Sequence, residues 1–267
     1  MILNEQNYFS KEANQEYLST SQYKDFCGSK GLVGCEAMAM AKITGQWICE
    51  PTPAMVMSSY VDAHFSRRLH IFKAKHPEVF TKEGSLKKAF KDAEKIINRI
   101  ESDDYFMRYM SGKKQVIMTA EFLGTRWKSM VDSFIEGIAI VDLKVMADLR
   151  KAFWVKDYGY CSFVEYYGYD LQAAIYQKVE QENRPNQMPL PFYIAGASKE
   201  KVTDIDIIGI DQATIKNAYI EIEGNIKRII DLKAGEIEPD ACGVCDYCKS
   251  QKVLSKPIHF SELIRKI

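Results

Sequence analysis

No apolar run in this chain of 267 residues approaches the ~18 residues that a membrane-crossing helix needs, which excludes a helical membrane protein. The opening MILNEQNYFSKEANQ is polar and has no apolar h-region, so no secretory signal is expected and the expected compartment is the cytoplasm. Net charge is missing as well. The 36 Lys and Arg offset the 36 Asp and Glu, so global charge gives no support to a nucleic-acid partner. Any such binding would need a local basic patch. Internal repeats and low-complexity tracts are absent from the sequence. An even cysteine count is absent too: seven cysteines without a secretion signal argue against a disulfide framework. What remains is an ordinary globular composition, 46% hydrophobic and 27% charged, at a length that allows one large domain or two small ones.

Taken in order, Ser19-Thr20-Ser21 can cap a helix through Tyr23 and Phe26, which Gly28, Gly31 and Gly34 then interrupt. Good helix formers fill 35–43. After Pro51 and Pro53, residues 54–69 suit a helix that carries Asp62 and His64. A more solvated helical pattern covers 84–110, with Lys87, Lys88, Lys91 and Lys95 on a water-facing side. Residues 115–123 read as a strand with Glu121 near its end, and 127–146 as two apolar strands joined at Glu136-Gly137. A basic, aromatic stretch follows, with Lys151, Trp154, Lys156, Tyr158 and Tyr160. A long helix over 161–183, two strand-like runs (LPFYIAGAS and DIDIIGID) and a last helix over 212–233 complete the pattern. A strand meander, a helical crossover and two further strands predict a mixed α/β sheet with helices on its faces. The strand after the crossover should run parallel to an earlier one.

The 127–146 hairpin holds three charges inside apolar strand text: Asp132, Asp142 and Lys144. Buried strands do not carry such residues unless they are paired or bind something. Asp142 and Lys144 are i and i+2 and share a face, while Leu143 points away. If the turn sets 132 opposite 142, the two aspartates meet, their Cβ atoms roughly 5 Å apart. A register shifted by one would send Asp132 to the other face. Two carboxylates and an ammonium at the end of a buried hairpin form a candidate divalent-metal site with a charged helper. Alone, D-x-K is a weak signal that surface strands also carry.

Gln172 and Tyr176 are i and i+4 on one helix face, a common surface pair that could also orient a metal ligand or a phosphate. Cys242, Cys245 and Cys248 are spaced to wrap one metal or cluster, but three thiols leave a tetrahedral site incomplete. Cys35, which opens a helix after a glycine-rich turn, is the first candidate for the fourth ligand, and Cys27 the second. Cys49 and Cys161 read as buried structural thiols.

Together these pieces resemble the PD-(D/E)XK nuclease superfamily, most closely its RecB-like and RecE-like branch of phage-type exodeoxyribonuclease VIII proteins, from about Ser19 to Cys248. Asp132 matches the first core aspartate, Asp142 and Lys144 the (D/E)-x-K element, and Gln172 and Tyr176 the Q-x-x-x-Y motif. The G-x-x-x-His motif aligns with SSYVD, which places Ser58 at the glycine and Asp62 at the histidine. The resemblance implies a restriction-endonuclease-like α/β core with a mixed sheet. It implies a single domain over 1–267: a mainly helical part to 110, a nuclease core over 115–235 and a cysteine cluster over 240–250. It implies Mg²⁺ or Mn²⁺ on Asp62, Asp132, Asp142 and the Leu143 carbonyl, with Lys144 orienting or activating water; Glu121 could bind water of the metal shell. The implied activity is exonucleolytic hydrolysis of linear double-stranded DNA, 5′ to 3′, in prophage-type recombination. Its partners would be DNA ends, a RecT-like annealing protein and further copies in a homo-oligomeric ring. The 151–160 stretch could then stack on DNA, or be a packed connection. Relatives with one N-terminal and three C-terminal cysteines carry a 4Fe-4S cluster, which makes that cluster, or else Zn²⁺, the expectation for Cys35, Cys242, Cys245 and Cys248. The alternatives are a catalytically altered DNA-binding module and a structure-specific or CRISPR-type processing endonuclease.

Overall fold

The computed structural model describes residues 1–263; residues 264–267, the end of the polar tail, lie outside it. Helices come first: α1 (Lys11–Glu16), α2 (Thr20–Cys27), α3 (Glu36–Ile43), α4 (Pro53–Phe65), α5 (Leu69–Lys75), α6 (Asp92–Glu101) and α7 (Asp104–Tyr109). Strands β1 (Lys113–Phe122), β2 (Thr125–Ile135) and β3 (Ala139–Met146) form a meander. The connection from it passes through β4 (Phe153–Val155), β5 (Gly159–Cys161), α8 (Phe163–Tyr166) and α9 (Tyr169–Asn183). It returns as β6 (Phe192–Ser198) and β7 (Ile205–Ile210), followed by α10 (Gln212–Ala234) and α11 (Asp246–Ser250). The main sheet is mixed, in the order β1-β2-β3-β6-β7, with β3 and β6 parallel and the other neighbours antiparallel.

Helices cover both faces of this sheet, which explains why β3 and β6 read as near-continuous apolar runs. On one side Ile140 and Ile194 pack with α2, α9 and α10 through Tyr23, Leu171, Ile175 and Ile222. On the other, Val141, Leu143 and Val145 pack with α4 and α6 through Val61, Ile96 and Ile100. Trp127 is fully buried and stacks on Phe122 at 5.1 Å, so Trp127→Ala should cost about 3–5 kcal/mol. Among the described residues no helix is long and apolar enough to cross a membrane.

Local chemistry sets the element ends. Ser19 and Gln22 form a reciprocal capping box on α2. Thr52 caps α4 with Pro53 in its first turn, and Asp211 caps α10, which ends at Gly235 with φ +74°. The β2–β3 turn is closed by the Ile138 N–H donating to the Ile135 carbonyl at 2.9 Å, with Gly137 at φ +70° where a side chain would be strained. Two expectations need correction. The helix over 161–183 is broken: Gly168 takes a left-handed conformation, and Cys161 belongs to β5. The helical pattern over 84–110 starts only at Lys88 and divides at Asp103, which caps α7.

The N-terminal segment is bound to β2 as a strap. The Leu18 N–H donates to the Arg126 carbonyl at 2.7 Å, and the Lys128 N–H returns to the Leu18 carbonyl at 2.9 Å. The buried Lys128 ammonium donates to the Tyr8 carbonyl at 2.6 Å and to Asn14 Oδ1 at 2.7 Å. Burial lowers its pKa to about 8.

Candidate active site

The β2–β3 ladder pairs Ser133 with Val141, Phe134 with Ile140 and Ile135 with Ala139. The same register carries 132 to a position opposite 142, and both aspartates line one cavity of about 670 Å³. Asp62, Leu143, Lys144, Gln172 and Tyr176 line it too. Three elements supply these groups. The hairpin brings Asp132, Asp142 and Lys144. Helix α4 brings Asp62 across β3, and one turn earlier Ser58 Oγ donates to the Val145 carbonyl at 3.2 Å. Helix α9 brings Gln172, whose Nε2 donates to Asp142 Oδ1 at 2.7 Å.

The carboxylates differ in their partners. Asp132 Oδ2 accepts from the Leu143 N–H at 2.8 Å and its Oδ1 from Gln115 Nε2 at 3.1 Å. The same Gln115 nitrogen reaches Asp62 Oδ1 at 3.5 Å. Asp142 Oδ2 is held in a buried ion pair with the Lys144 ammonium. Lys144 also lies 4.9 Å from the Tyr169 ring centroid. Burial raises the pKa of Asp132, and the charges of Asp142 and Asp62 raise it further. Asp62 is raised for the same reasons, burial first and then Asp142. Burial works against the Lys144 charge, but Asp142, Tyr169 and Asp132 outweigh it and hold its pKa above the ordinary lysine value. Lys24, on α2 at the cavity wall, is pulled down to about 8 by burial and by Lys144.

This donor set fits a divalent cation. Three carboxylates face one ammonium in direct contact, so the cluster keeps uncompensated negative charge in a poorly solvated place. Carboxylate oxygens are the ligands that Mg²⁺ takes, with water completing its shell.

Some expectations fail. Glu121 lies away from the cavity, exposed, and pairs with Arg126 at 3.9 Å. It follows Ala120 on a strand, and the alternation turns it to solvent. The Tyr176 hydroxyl donates inward to the Met130 carbonyl at 3.2 Å, which fixes β2 two residues before Asp132. Gln115, Tyr169 and Lys24 escape the sequence reading. Gln115 sits opposite Asp132 with φ +50°, a left-handed conformation that its β-rich sequence context conceals. His64 faces Glu101 at 2.7 Å, away from the cavity lining. In the 151–160 stretch, Phe153 packs inward on Tyr166 at 4.1 Å, while Trp154, Tyr158 and Tyr160 stand exposed on the β4–β5 hairpin.

The cysteines gather apart from this cavity. Cys35, Cys242, Cys245 and Cys248 place their sulfurs within 4.8 Å of one another. Cys27 is exposed and outside the group; Cys161 is buried, but Cys49 is exposed rather than buried.

A mixed sheet with helices on both faces, an aspartate hairpin ending in D-x-K and a helix that delivers a glutamine to it define a PD-(D/E)XK nuclease. Residues 19–251 match the family described as "PDDEXK-like domain of unknown function (DUF3799)", and the chain belongs to that family. It is similar to the "putative exonuclease" of Eubacterium rectale, whose crystal structure is 49% identical, covers 100% of both chains and has a TM-score of 0.95. No curated protein matches it.

Proposed function

We propose that this nuclease hydrolyses phosphodiester bonds from the ends of linear double-stranded DNA, in the 5′ to 3′ direction and with Mg²⁺ or Mn²⁺. The convergence of Asp62, Asp132, Asp142, Lys144 and Gln172 on one cavity carries this reading. Likeness to a protein described as an exonuclease supports attack at ends. The cavity, of about 670 Å³, is walled by the N-terminal strap and α4.

Asp62, Asp132 and Asp142 would hold the ion, with the Leu143 carbonyl as a further ligand. When bound, the ion supplies Lewis-acid polarisation of the phosphate and a more acidic water. Gln172 fixes Asp142 through Oδ1, and Oδ2 faces the Lys144 ammonium. Lys144, kept charged by its acidic neighbours, acts as a donor that orients the attacking water and stabilises charge on the phosphoryl oxygens. Water oxygen forms the new bond to phosphorus and gives up a proton to solvent, the bond from phosphorus to the 3′-oxygen breaks, and that oxygen leaves with a proton from solvent. The exposed Trp154, Tyr158 and Tyr160 offer stacking surfaces for the incoming strand. The remaining single strand suits a RecT-like annealing protein.

The test pairs linear and circular duplex DNA, labelled at either end, with Mg²⁺ or EDTA and with Asp142→Ala. Loss of linear DNA alone, from the 5′ end, dependent on metal and on Asp142, is the expected result. Cleavage of circles would assign an endonuclease, and no cleavage with any divalent ion would overturn the proposal.

A further inference from the structure

The cysteine cluster disagrees with the cofactor that the family resemblance implies. In a 4Fe-4S cluster each thiolate binds its own iron at a separate corner of a cube, which holds the four sulfurs roughly 6 Å apart. Around one zinc ion, bonds of about 2.3 Å in a tetrahedron hold them about 3.8 Å apart. Here Cys35 and Cys248 sulfurs are separated by 3.6 Å and those of Cys242 and Cys248 by 3.9 Å. All four lie within 4.8 Å of one another. No pair leaves room for a cubane between its members.

We infer that Cys35, Cys242, Cys245 and Cys248 bind a single tetrahedral Zn²⁺ ion and no iron–sulfur cluster. The backbone supports four thiolates around one ion. The Val244 and Cys245 N–H groups donate to Cys242 Sγ at 3.4 and 3.3 Å across a turn in which Gly243 has φ +70°. The Cys248 N–H donates to Cys245 Sγ and the Met38 N–H to Cys35 Sγ, each at 3.4 Å. These donors offset the excess negative charge that four thiolates leave on one divalent ion. With four protein ligands the site is closed, which marks a structural ion rather than a catalytic one.

The ion joins positions 213 residues apart, Cys35 at the start of α3 and Cys248 in α11. The same junction carries the Ala37 N–H to Asp240 carbonyl bond at 3.1 Å and the Arg228 pairings with Glu36 and Asp240. The far end of α3, Lys42 and Ile43, lines the active-site cavity. The ion therefore braces a wall of that cavity without touching the chemistry.

The test is the metal content of the full chain, purified anaerobically from cells grown with both iron and zinc. About one zinc per chain is expected, with no iron, no acid-labile sulfide and no brown charge-transfer absorption. Co²⁺ exchanged into the site should give the intense ligand-field bands of tetrahedral thiolate cobalt. Cys248→His, which keeps four ligands, should retain zinc, and Cys49→Ser should leave its content unchanged. Four irons with matching sulfide per chain would overturn the inference, as would a folded chain that binds neither metal.

Discussion

Asp62→Asn should make the metal-free protein more stable while it disables the site. The substitution removes one of three clustered carboxylates and keeps the side-chain volume. The carbonyl oxygen of Asn can still accept the long contact from Gln115, so no directed hydrogen bond is lost. What disappears is repulsion. Two unit charges about 7 Å apart at an effective dielectric of about 20 repel by about 2 kcal/mol. Lys144, Arg68 and Lys114 attract Asp62 and return part of this, which leaves a net gain of about 1 kcal/mol. For a chain of this size that is about 2–4 °C in Tm. With Mg²⁺ the order should invert. An ion present at 10 to 100 times its Kd stabilises the wild type by about 1.4–2.7 kcal/mol, and the variant, short of one ligand, should gain far less. Differential scanning fluorimetry in EDTA and in Mg²⁺, beside a nuclease assay, reads all three quantities. A variant that melts below the wild type in EDTA would refute the electrostatic reasoning. An undiminished Mg²⁺ shift would remove Asp62 from the metal site.

The stability difference between Asp62→Asn and wild type in EDTA should grow as pH rises above the ordinary carboxylate value of 3.8. A raised carboxylate pKa gives the folded state the extra proton, so its contribution is lost as pH climbs through the folded value; thermal melts across pH check the slope. Gln172→Ala should raise the Mg²⁺ concentration for half-maximal cleavage by about 10–100-fold, since Asp142 loses the donor that orients it. Gln115→Gly should relieve a strained φ worth about 1 kcal/mol and still demand more Mg²⁺, read by melting and by metal titration. Trp154→Ala in an Asp142→Ala background should weaken DNA binding by about 1–3 kcal/mol in fluorescence anisotropy, with Tm unchanged.

Much of the fold was legible because burial writes itself into strand text. Ile140 to Val145 is apolar on both faces of β3, so Asp142 and Lys144 stood out against it. The turn at Gly137 then fixed the register that puts 132 opposite 142. The cysteine spacing carried its own signal, and Cys35 was reachable as the residue opening α3. Gln115 was not: an uncharged strand residue looks ordinary until its left-handed backbone is seen. Tyr169 and Lys24 depend on how α9 and α2 settle against β3, which no local pattern encodes. Glu121 misled because proximity in sequence to the hairpin says nothing about which face a strand residue takes. Gly168, in YYGYD, was a readable breaker that helix propensity on either side obscured.

The parallel pairing of β3 with β6 has a consequence for synthesis. Asp142 lies at one end of the connection and Gln172 inside it, and the connection closes only when β6, beginning at Phe192, docks beside β3. A chain that ends before that point holds the hairpin with Asp132, Asp142 and Lys144 but lacks the docked crossover that seats Gln172 on Asp142. Such nonlocal pairing forms late, after the loop entropy of the crossover has been overcome. The complete site, with Gln172 seated on Asp142, is thus a product of the whole crossover rather than of the hairpin alone.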